Sequence, residues 1–391
     1  MKNWKGAISG SLLIAGTTIG AGMLGIPLIT GQAGLWPALL MTVVVWLYML
    51  CTGLLFLEVM LWMPKGSNIL SMAKRFMGVK GQWLAGGMFV FLYYCLMVAY
   101  FAAGAPLLSE LFGLNLASWG SYLFFGAVFG IIVAIGTKTI DRANIALTVA
   151  MVIFFFLLVG VGSTAVVAER LVLTNWKPLL FAPPFLFSAF GYHNIIPPLT
   201  EYLKRDVKVL KLSIWLGTLI PLIFYVMWQW LIIGSIPQDV LQKTLEAGAP
   251  VTVALQNVTG NLTLKGIGAF FALFAIATST IGVAFSLVDF LGDGFKVARK
   301  GLVRLGLCFL TFAPPLVFAA INPTIFDKAL SVAGGFGEAF LNGFLPAALV
   351  WIGRYNMKLK GDPLLLGGKS FLLILLAGSI IAAVLEIFYL L

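Results

Sequence analysis

The stretch Gly16-Thr17-Thr18-Ile19-Gly20-Ala21-Gly22-Met23-Leu24-Gly25-Ile26-Pro27 lies in the middle of the first long apolar segment of the chain. A simple spanning helix should be regular there, yet these twelve residues hold four glycines and a proline. Glycine weakens a helix and proline removes a backbone donor. Inside a bilayer, interrupted backbone is tolerated only where it lines a cavity or is buried in protein. We therefore expect this stretch to unwind and to form part of a binding site.

The composition places this stretch in a membrane protein. The chain has 391 residues, of which 61% are hydrophobic and 10% charged. Apolar segments of about 18 or more residues follow one another almost to the end, each long enough for a membrane-spanning helix. We predict an all-α polytopic membrane protein with one membrane domain over residues 1–391. The net charge of +11 does not indicate nucleic-acid binding, because the basic residues fall in short loops between the spans.

The apolar segments and the loop charges predict a topology. Of the 25 basic residues, 20 fall in segments on the side of the N-terminus and 5 on the opposite side. Basic residues accumulate in cytoplasmic loops, so we expect a cytoplasmic N-terminus and an external C-terminus. We predict 11 transmembrane helices, at 6–31, 34–61, 82–111, 119–137, 144–168, 182–202, 210–234, 265–291, 301–321, 325–352 and 367–390.

A second interrupted helix is predicted in the sixth span. The run Ser188-Ala189-Phe190-Gly191-Tyr192-His193-Asn194-Ile195-Ile196-Pro197-Pro198 contains the only histidine of the chain. Paired Gly- or Pro-interrupted segments at corresponding positions indicate a transporter site between inverted repeats. We therefore expect a 5+5 inverted repeat, approximately 6–168 and 182–352, with broken helices 1 and 6 and an extra helix at 367–390. A structural kink in each helix is the alternative interpretation.

The chemistry of an unwound helix suits a free amino acid. A half-helix N-terminus binds a carboxylate, and freed carbonyl groups bind an ammonium group. The residues predicted to bind substrate in the first break are Thr17, Thr18, Ile19, Gly20, Ala21 and Gly22. In the second break they are Phe190, Gly191, Tyr192 and His193. Tyr93 in the third span could form an aromatic wall, although packing between helices is the alternative role.

Three places could bind a coupling ion. Glu338 lies near the middle of the tenth span, and an intramembrane carboxyl is a functional-site candidate. His193 titrates near neutral pH and could also carry a proton. Thr278 and Ser279 in the eighth span could form a small sodium site with carbonyl groups of the first break. Static hydrogen bonds between helices would explain the same residues, and proton and sodium coupling both stay open.

These motifs resemble a known family. The Gly16–Pro27 pattern and the Phe190–Pro197 run are similar to those of the hydroxy/aromatic amino acid permeases, particularly the bacterial tyrosine- and tryptophan-specific permeases. The resemblance implies a leucine-transporter-like fold, proton-coupled amino acid uptake and a site between the first and sixth spans. It also implies residence in the bacterial inner membrane.

We therefore expect a secondary transporter that imports tyrosine or tryptophan by proton symport and alternating access. Its partners would be the amino acid, the coupling proton or sodium ion and the lipid bilayer, without a cofactor. The alternatives are sodium coupling or a hydroxy amino acid such as serine or threonine. A membrane-embedded enzyme is disfavoured because the single histidine has no partner acid nearby, and a channel because the two halves are inequivalent.

Overall fold

The computed structural model describes residues 2–114, 116, 118–248, 250–361 and 363–391. Within these ranges the side chains of residues 2, 3, 118 and 137–142 lie outside the description. Three basic residues that support the predicted orientation, Lys2, Lys138 and Arg142, are among them. All regular structure in the described residues is helical.

The first span is broken where its glycines cluster. Helix α1, Lys2–Thr18, ends before Ile19, and α2 begins again as Gly22–Thr30. The two helices are bent by 62° relative to each other. Gly22 allows the start of α2 to approach the sixth span closely, because a side-chain carbon at position 22 would come within 3.1 Å of the Cα atom of Ala189.

The following helices keep to the predicted spans with shifted ends. Gly136 has a positive φ of 129° and separates two helices, the first of which ends at Ile135. The second helix begins at Thr137 rather than at the predicted residue 144. The helices are α3 (Leu35–Trp62), α4 (Ile69–Leu111), α5 (Ser118–Ile135), α6 (Thr137–Gly162) and α7 (Ala168–Leu171).

The sixth span is also divided. Helix α8, Ala182–Ala189, stops one residue before Phe190, and a short 3₁₀ turn, His193–Ile195, leads into α9, Ile196–Tyr202. The remaining helices are α10 (Val207–Ser235), α11 (Gln238–Glu246), α12 (Val251–Thr259), α13 (Leu262–Phe295), α14 (Gly301–Ile321), α15 (Phe326–Val332), α16 (Leu345–Trp351) and α17 (Gly368–Leu390).

The tenth predicted span is wound differently from an ordinary helix. Between α15 and α16 the backbone forms a π-helix over Ala333–Phe344, and a second π-helix, Ile352–Asn356, follows α16. Wide turns of this kind are rare and are frequently found at functional sites. The first π-helix carries Glu338 and Asn342, so its geometry directs these polar side chains towards the interior.

The described helices make this a multi-pass membrane protein. Nine helical segments of the described residues are long and apolar enough to cross a bilayer, if the divided stretches Lys177–Tyr202 and Phe326–Asn356 are each taken as one, and the bent pair α1–α2 brings the number to ten. The apolar helix Trp119–Ile135 is shorter and corresponds to the predicted span 119–137. The exact number of 11 crossings therefore stays a prediction.

A buried ion pair fixes the end of the tenth span. Arg354 donates from Nε to Oε1 and from a terminal nitrogen to Oε2 of Glu58 on α3, at 2.6 Å each. Glu58 also accepts the backbone N–H of Leu364 at 3.0 Å. The Glu58 side chain is only 4% exposed. The pair therefore joins α3, the second π-helix and the chain leading to α17.

Removing one member should destabilise the protein. We expect Arg354→Met to lower the free energy of unfolding by about 3–5 kcal/mol, because it leaves Glu58 buried without its partner. Thermal unfolding in detergent would measure the loss. The matched control is Lys243→Met, which breaks the exposed pair with Asp239 and should cost at most about 1 kcal/mol. Equal losses in the two variants would contradict the prediction.

Candidate functional site

The first break exposes backbone groups that a continuous helix would pair. The N–H group of Ile19 still bonds to the Ala15 carbonyl at 2.8 Å. The N–H groups of Gly20 and Gly22 make no hydrogen bond within the described residues. Gly22 is also the first residue of α2, where the helix dipole is positive. Unpaired N–H groups at a helix N-terminus are suited to bind an anion.

The second break leaves a comparable set of groups. The N–H group of Phe190 closes the last turn of α8 on the Leu186 carbonyl at 3.0 Å. The N–H groups of Tyr192 and Asn194 have no acceptor in the described part of the chain. The C-terminal end of α8 thus adjoins the N-terminal end of α2, which provides partial charges of opposite sign side by side.

Tyr225 of α10 joins the two breaks. Its hydroxyl group lies 2.9 Å from the Thr18 carbonyl and 2.7 Å from the Ala189 carbonyl, and its single proton is shared between them. The ring packs edge to face on Phe190 at 4.9 Å. The sequence analysis missed this residue. A tyrosine in the middle of an apolar span was the available signal, but its partners lie in helices far away in the sequence.

Ser279 of α13 completes the first break. Its hydroxyl oxygen accepts the N–H group of Ala21 at 3.0 Å. A side-chain carbon at Gly20 would overlap this oxygen. Helix α13 is therefore attached to the unwound segment by a contact that only glycine at position 20 permits.

The breaks open into one cavity of about 380 Å³. Its wall runs from Gly20 and Gly191 to Asn68 at the start of α4 and Asp293 near the end of α13. These last two residues lie on the same side of the molecule as the N-terminus, because α3 returns to that side at Trp62. On the opposite side α2 and α8 are in contact, so the cavity opens towards the N-terminal side.

Glu338 brings a carboxyl group to the cavity. The side chain is 5% exposed and accepts a hydrogen bond from the Asn342 amide one turn later. A side-chain carbon at Gly191 would lie 2.5 Å from Glu338 Oε1. The carboxyl group therefore lies directly against the unwound backbone of the second break, and it forms no ion pair among the described residues.

Three stacked aromatic rings form one wall. Phe89 and Tyr93 of α4 stack at 4.1 Å, and Phe89 stacks on Phe290 of α13 at 4.3 Å. All three line the cavity. The sequence analysis identified Tyr93 but missed Phe89 and Phe290. Phe89 is four residues before Tyr93 and therefore shares its helix face, whereas only the fold brings Phe290 to the stack.

Five of the expected site residues lie outside the cavity wall, and three of them belong to the second break. Tyr192 extends to α3, where its hydroxyl group donates to the Met49 carbonyl at 3.1 Å. The His193 Nε2 atom lies 3.0 Å from the Thr52 hydroxyl group, and the ring is fully buried. Phe190 packs on Tyr225. The turn after α8 directs these side chains towards helices α3 and α10.

The remaining expected residues divide between cavity and packing positions. Thr17, Thr18, Gly20, Ala21, Gly22, Tyr93, Gly191, Ser279 and Glu338 line the cavity. The hydroxyl groups of Thr17 and Thr18 donate to carbonyl groups of their own helix at 2.8 and 2.9 Å. Ile19 is buried outside the wall, and the Thr278 hydroxyl group donates to the carbonyl groups of Phe274 and Ala275 at 3.0 Å.

Comparison with solved structures shows the fold. The chain is similar to Mhp1, a nucleobase-cation-symport-1 family transporter in a closed conformation with bromovinylhydantoin bound, with a TM-score of 0.58 and 13% identity. That match covers 97% of this chain and 91% of the other. A manganese transporter from Eremococcus coleocola gives a TM-score of 0.62 at 14% identity, over 98% of this chain and 86% of the other. The chain has the leucine-transporter-like fold of such transporters.

Comparison of sequences identifies the family. The tyrosine-specific transport system 1 of Haemophilus influenzae is 31% identical over 96% of both chains. The tryptophan-specific transport protein of Pseudomonas aeruginosa is 29% identical over 95% of this chain and 92% of its own. The tryptophan/tyrosine permease family matches residues 3–386. This family and these relatives are transport proteins and not enzymes, and the chain belongs to the tryptophan/tyrosine permease family.

Proposed function

We propose that this protein is a secondary transporter that imports an aromatic amino acid, tyrosine or tryptophan, by proton symport and alternating access. The observation that carries the proposal is the meeting of two helix breaks, one carboxyl group and an aromatic stack in a single cavity. The names of the relatives and the family support the aromatic substrate. The membrane would be the bacterial inner membrane, with the N-terminus inside and the C-terminus outside.

The two breaks would bind the part that all amino acids share. The substrate carboxylate would accept hydrogen bonds from the unpaired N–H groups of Gly20 and Gly22. Its ammonium group would face the carbonyl groups at the C-terminal ends of α1 and α8. The predicted 5+5 inverted repeat would account for the pairing of the breaks, with α17 as an additional helix.

Glu338 would carry the coupled proton. It is the carboxyl group in the cavity wall that has no basic partner and touches a helix break. His193 is a poorer proton carrier because its ring is fully buried outside the cavity wall and contacts the Thr52 hydroxyl group. Thr278 lies outside the cavity wall, and the Ser279 hydroxyl oxygen already accepts the N–H group of Ala21, which disfavours the sodium site predicted at Thr278 and Ser279.

The direct test is uptake of labelled amino acids into proteoliposomes, with pH and sodium gradients imposed separately. We expect tyrosine or tryptophan to accumulate when the outside is acidic, and a sodium gradient alone to give no accumulation. Accumulation driven by sodium alone would overturn proton coupling. Preferential uptake of serine or threonine would overturn the aromatic substrate.

The glycines of the first break can be tested with matched alanine variants. We expect Gly20→Ala and Gly22→Ala to lower kcat/KM for uptake about tenfold or more, a loss of roughly 1.4 kcal/mol. The added methyl groups would meet Ser279 and Ala189, respectively. Gly16→Ala is the control, because a side-chain carbon there meets no atom within 4 Å. Similar losses in all three variants, at equal amounts in the membrane, would contradict the site.

Glu338 can be tested by separating accumulation from exchange. We expect Glu338→Gln to abolish accumulation driven by a pH gradient while counterflow exchange is retained, because exchange needs no net proton movement. Glu110→Gln is the control, since Glu110 is exposed and pairs with Lys265 at 3.2 Å. If Glu338→Gln impaired both processes equally, the proton-carrying role would be wrong.

The aromatic stack should determine part of the substrate preference. Loss of one stacked contact costs about 0.5–1.5 kcal/mol. We therefore expect Phe89→Leu to raise KM for the aromatic substrate roughly 2- to 10-fold while KM for a transported aliphatic amino acid changes little. Phe270→Leu, at an exposed aromatic position distant from the cavity wall, is the control. A uniform change for all substrates would argue against a selectivity role.

A further inference from the structure

A pair of buried acids lies outside the cavity. Asp327 is on the first turn of α15, and Glu386 is near the end of α17. They are 3% and 0% exposed, respectively. The Ser331 hydroxyl group donates to Glu386 Oε2 at 2.5 Å, and Asp327 is one helical turn before Ser331 on the same face. The cavity described above does not include either acid.

The carboxyl group of Asp327 is buried without any polar partner. Neither of its oxygens makes a hydrogen bond in the described residues, and Glu386 Oε1 is also unpaired. No described lysine or arginine forms an ion pair with either acid, and the adjacent Lys328 is exposed. Burying an ionised carboxylate without compensation is so costly that such a group becomes neutral instead. Burial without a partner therefore favours the neutral carboxyl group at Asp327. Tyr389 of α17 also lies near both acids.

A metal ion fits Asp327 less well than a proton. Hard cations are bound by several oxygen ligands at once. The oxygens of Asp327 form no hydrogen bond with the described residues, and no cluster of three or more His, Cys, Asp or Glu side chains suited to a metal is found there. A proton needs only the carboxylate itself.

The position of Asp327 connects it to both broken helices. A side-chain carbon at Gly25 of α2 would lie 2.7 Å from Asp327 Oδ1 and would also overlap the ring of Phe185 of α8. Gly25 of α2, Phe185 of α8 and Asp327 of α15 therefore meet at one place, which we call the seam. The cavity mouth is at the N-terminal side, where α13 ends and α14 begins, so the end of α14 and the start of α15 are on the opposite side. The seam therefore lies on the side opposite the cavity mouth.

We propose that Asp327, supported by Glu386 and Ser331, is a second proton-binding site that controls closure of the transporter on the side opposite the present cavity mouth. The neutral carboxyl group allows α2, α8 and α15 to pack as they do here. Ionisation places an uncompensated charge in the seam, so the seam opens to water. The binding step adds one proton to the Asp327 carboxylate from the solution on that side, and opening returns it to the same side. This deepens the proposed function and rests on its alternating access, but not on the identity of the substrate.

The protonation state can be measured without any assumption about transport. The wild-type protein would be prepared in liposomes with aspartate isotope-labelled at its side-chain carboxyl carbon. The infrared C=O stretch of a protonated, isotope-shifted carboxyl group should be present at neutral pH. It should be lost in Asp327→Asn and retained in Asp239→Asn, whose acid is exposed. The absence of this band from the wild-type protein at neutral pH would overturn the proposal, and this measurement remains possible if Asp327→Asn fails to insert.

The gating role has a kinetic signature. Asp327→Asn should be unable to open the seam by ionisation, so fewer molecules offer a binding-competent site to the outside when the outer pH is high. We expect the ratio of external KM in Asp327→Asn to that in the wild type to be near one at acidic outer pH. The ratio should rise several-fold at alkaline outer pH.

A control variant and an independent readout separate this proposal from the proposed function. Asp239→Asn should give a KM ratio near one at every outer pH. A ratio for Asp327→Asn that does not change with outer pH would overturn the gating role. If the wild type did not transport aromatic amino acids at all, the infrared band would still report Asp327, and the proposed function alone would fail.

Discussion

The structure depends on backbone hydrogen-bonding groups that are left unpaired inside the membrane domain. In a bilayer core each such group is costly unless protein or a water-filled cavity satisfies it. At the first break Ser279 accepts the N–H group of Ala21. Tyr225 satisfies one carbonyl group of each break. Gly20, Gly22 and Asn194, whose N–H groups stay unpaired in the described residues, line the cavity, where a zwitterion could bind them. Packing therefore stabilises the breaks, and the cavity gives a ligand access to their unpaired backbone groups.

The same constraint explains why the protein surrounds the breaks with small residues. Gly22 allows α2 to approach Ala189, and Gly191 allows the carboxyl group of Glu338 to lie against the backbone. The π-helix over Ala333–Phe344 brings Glu338 to that position. A regular α-helix, with about 3.6 residues per turn, would rotate successive side chains by a larger angle than the wider π-helix and would redirect part of this face. The local irregularities of three helices thus converge on one volume.

Buried acids play different parts according to their neighbours. Glu58 is balanced by two charge-assisted hydrogen bonds from Arg354 and fixes the ends of helices. Glu338 has an amide neighbour and an open cavity. Asp327 has neither a partner nor a cavity. The energetic cost of charge in an apolar interior is common to all three, so the surroundings decide whether an acid is structural or able to exchange a proton.

The sequence by itself determined the membrane class, the positions of the helices and the two breaks, because hydrophobic length and the Gly and Pro content are local properties. It also determined the candidate Glu338, since an acid in the middle of an apolar span is visible without a fold. Only the tertiary structure decided which side chains face the cavity. It directed Phe190, Tyr192 and His193 to other helices and brought Tyr225, Phe89 and Phe290 to the site. The direction of a side chain at an unwound turn depends on the neighbouring helices, and these are distant in sequence.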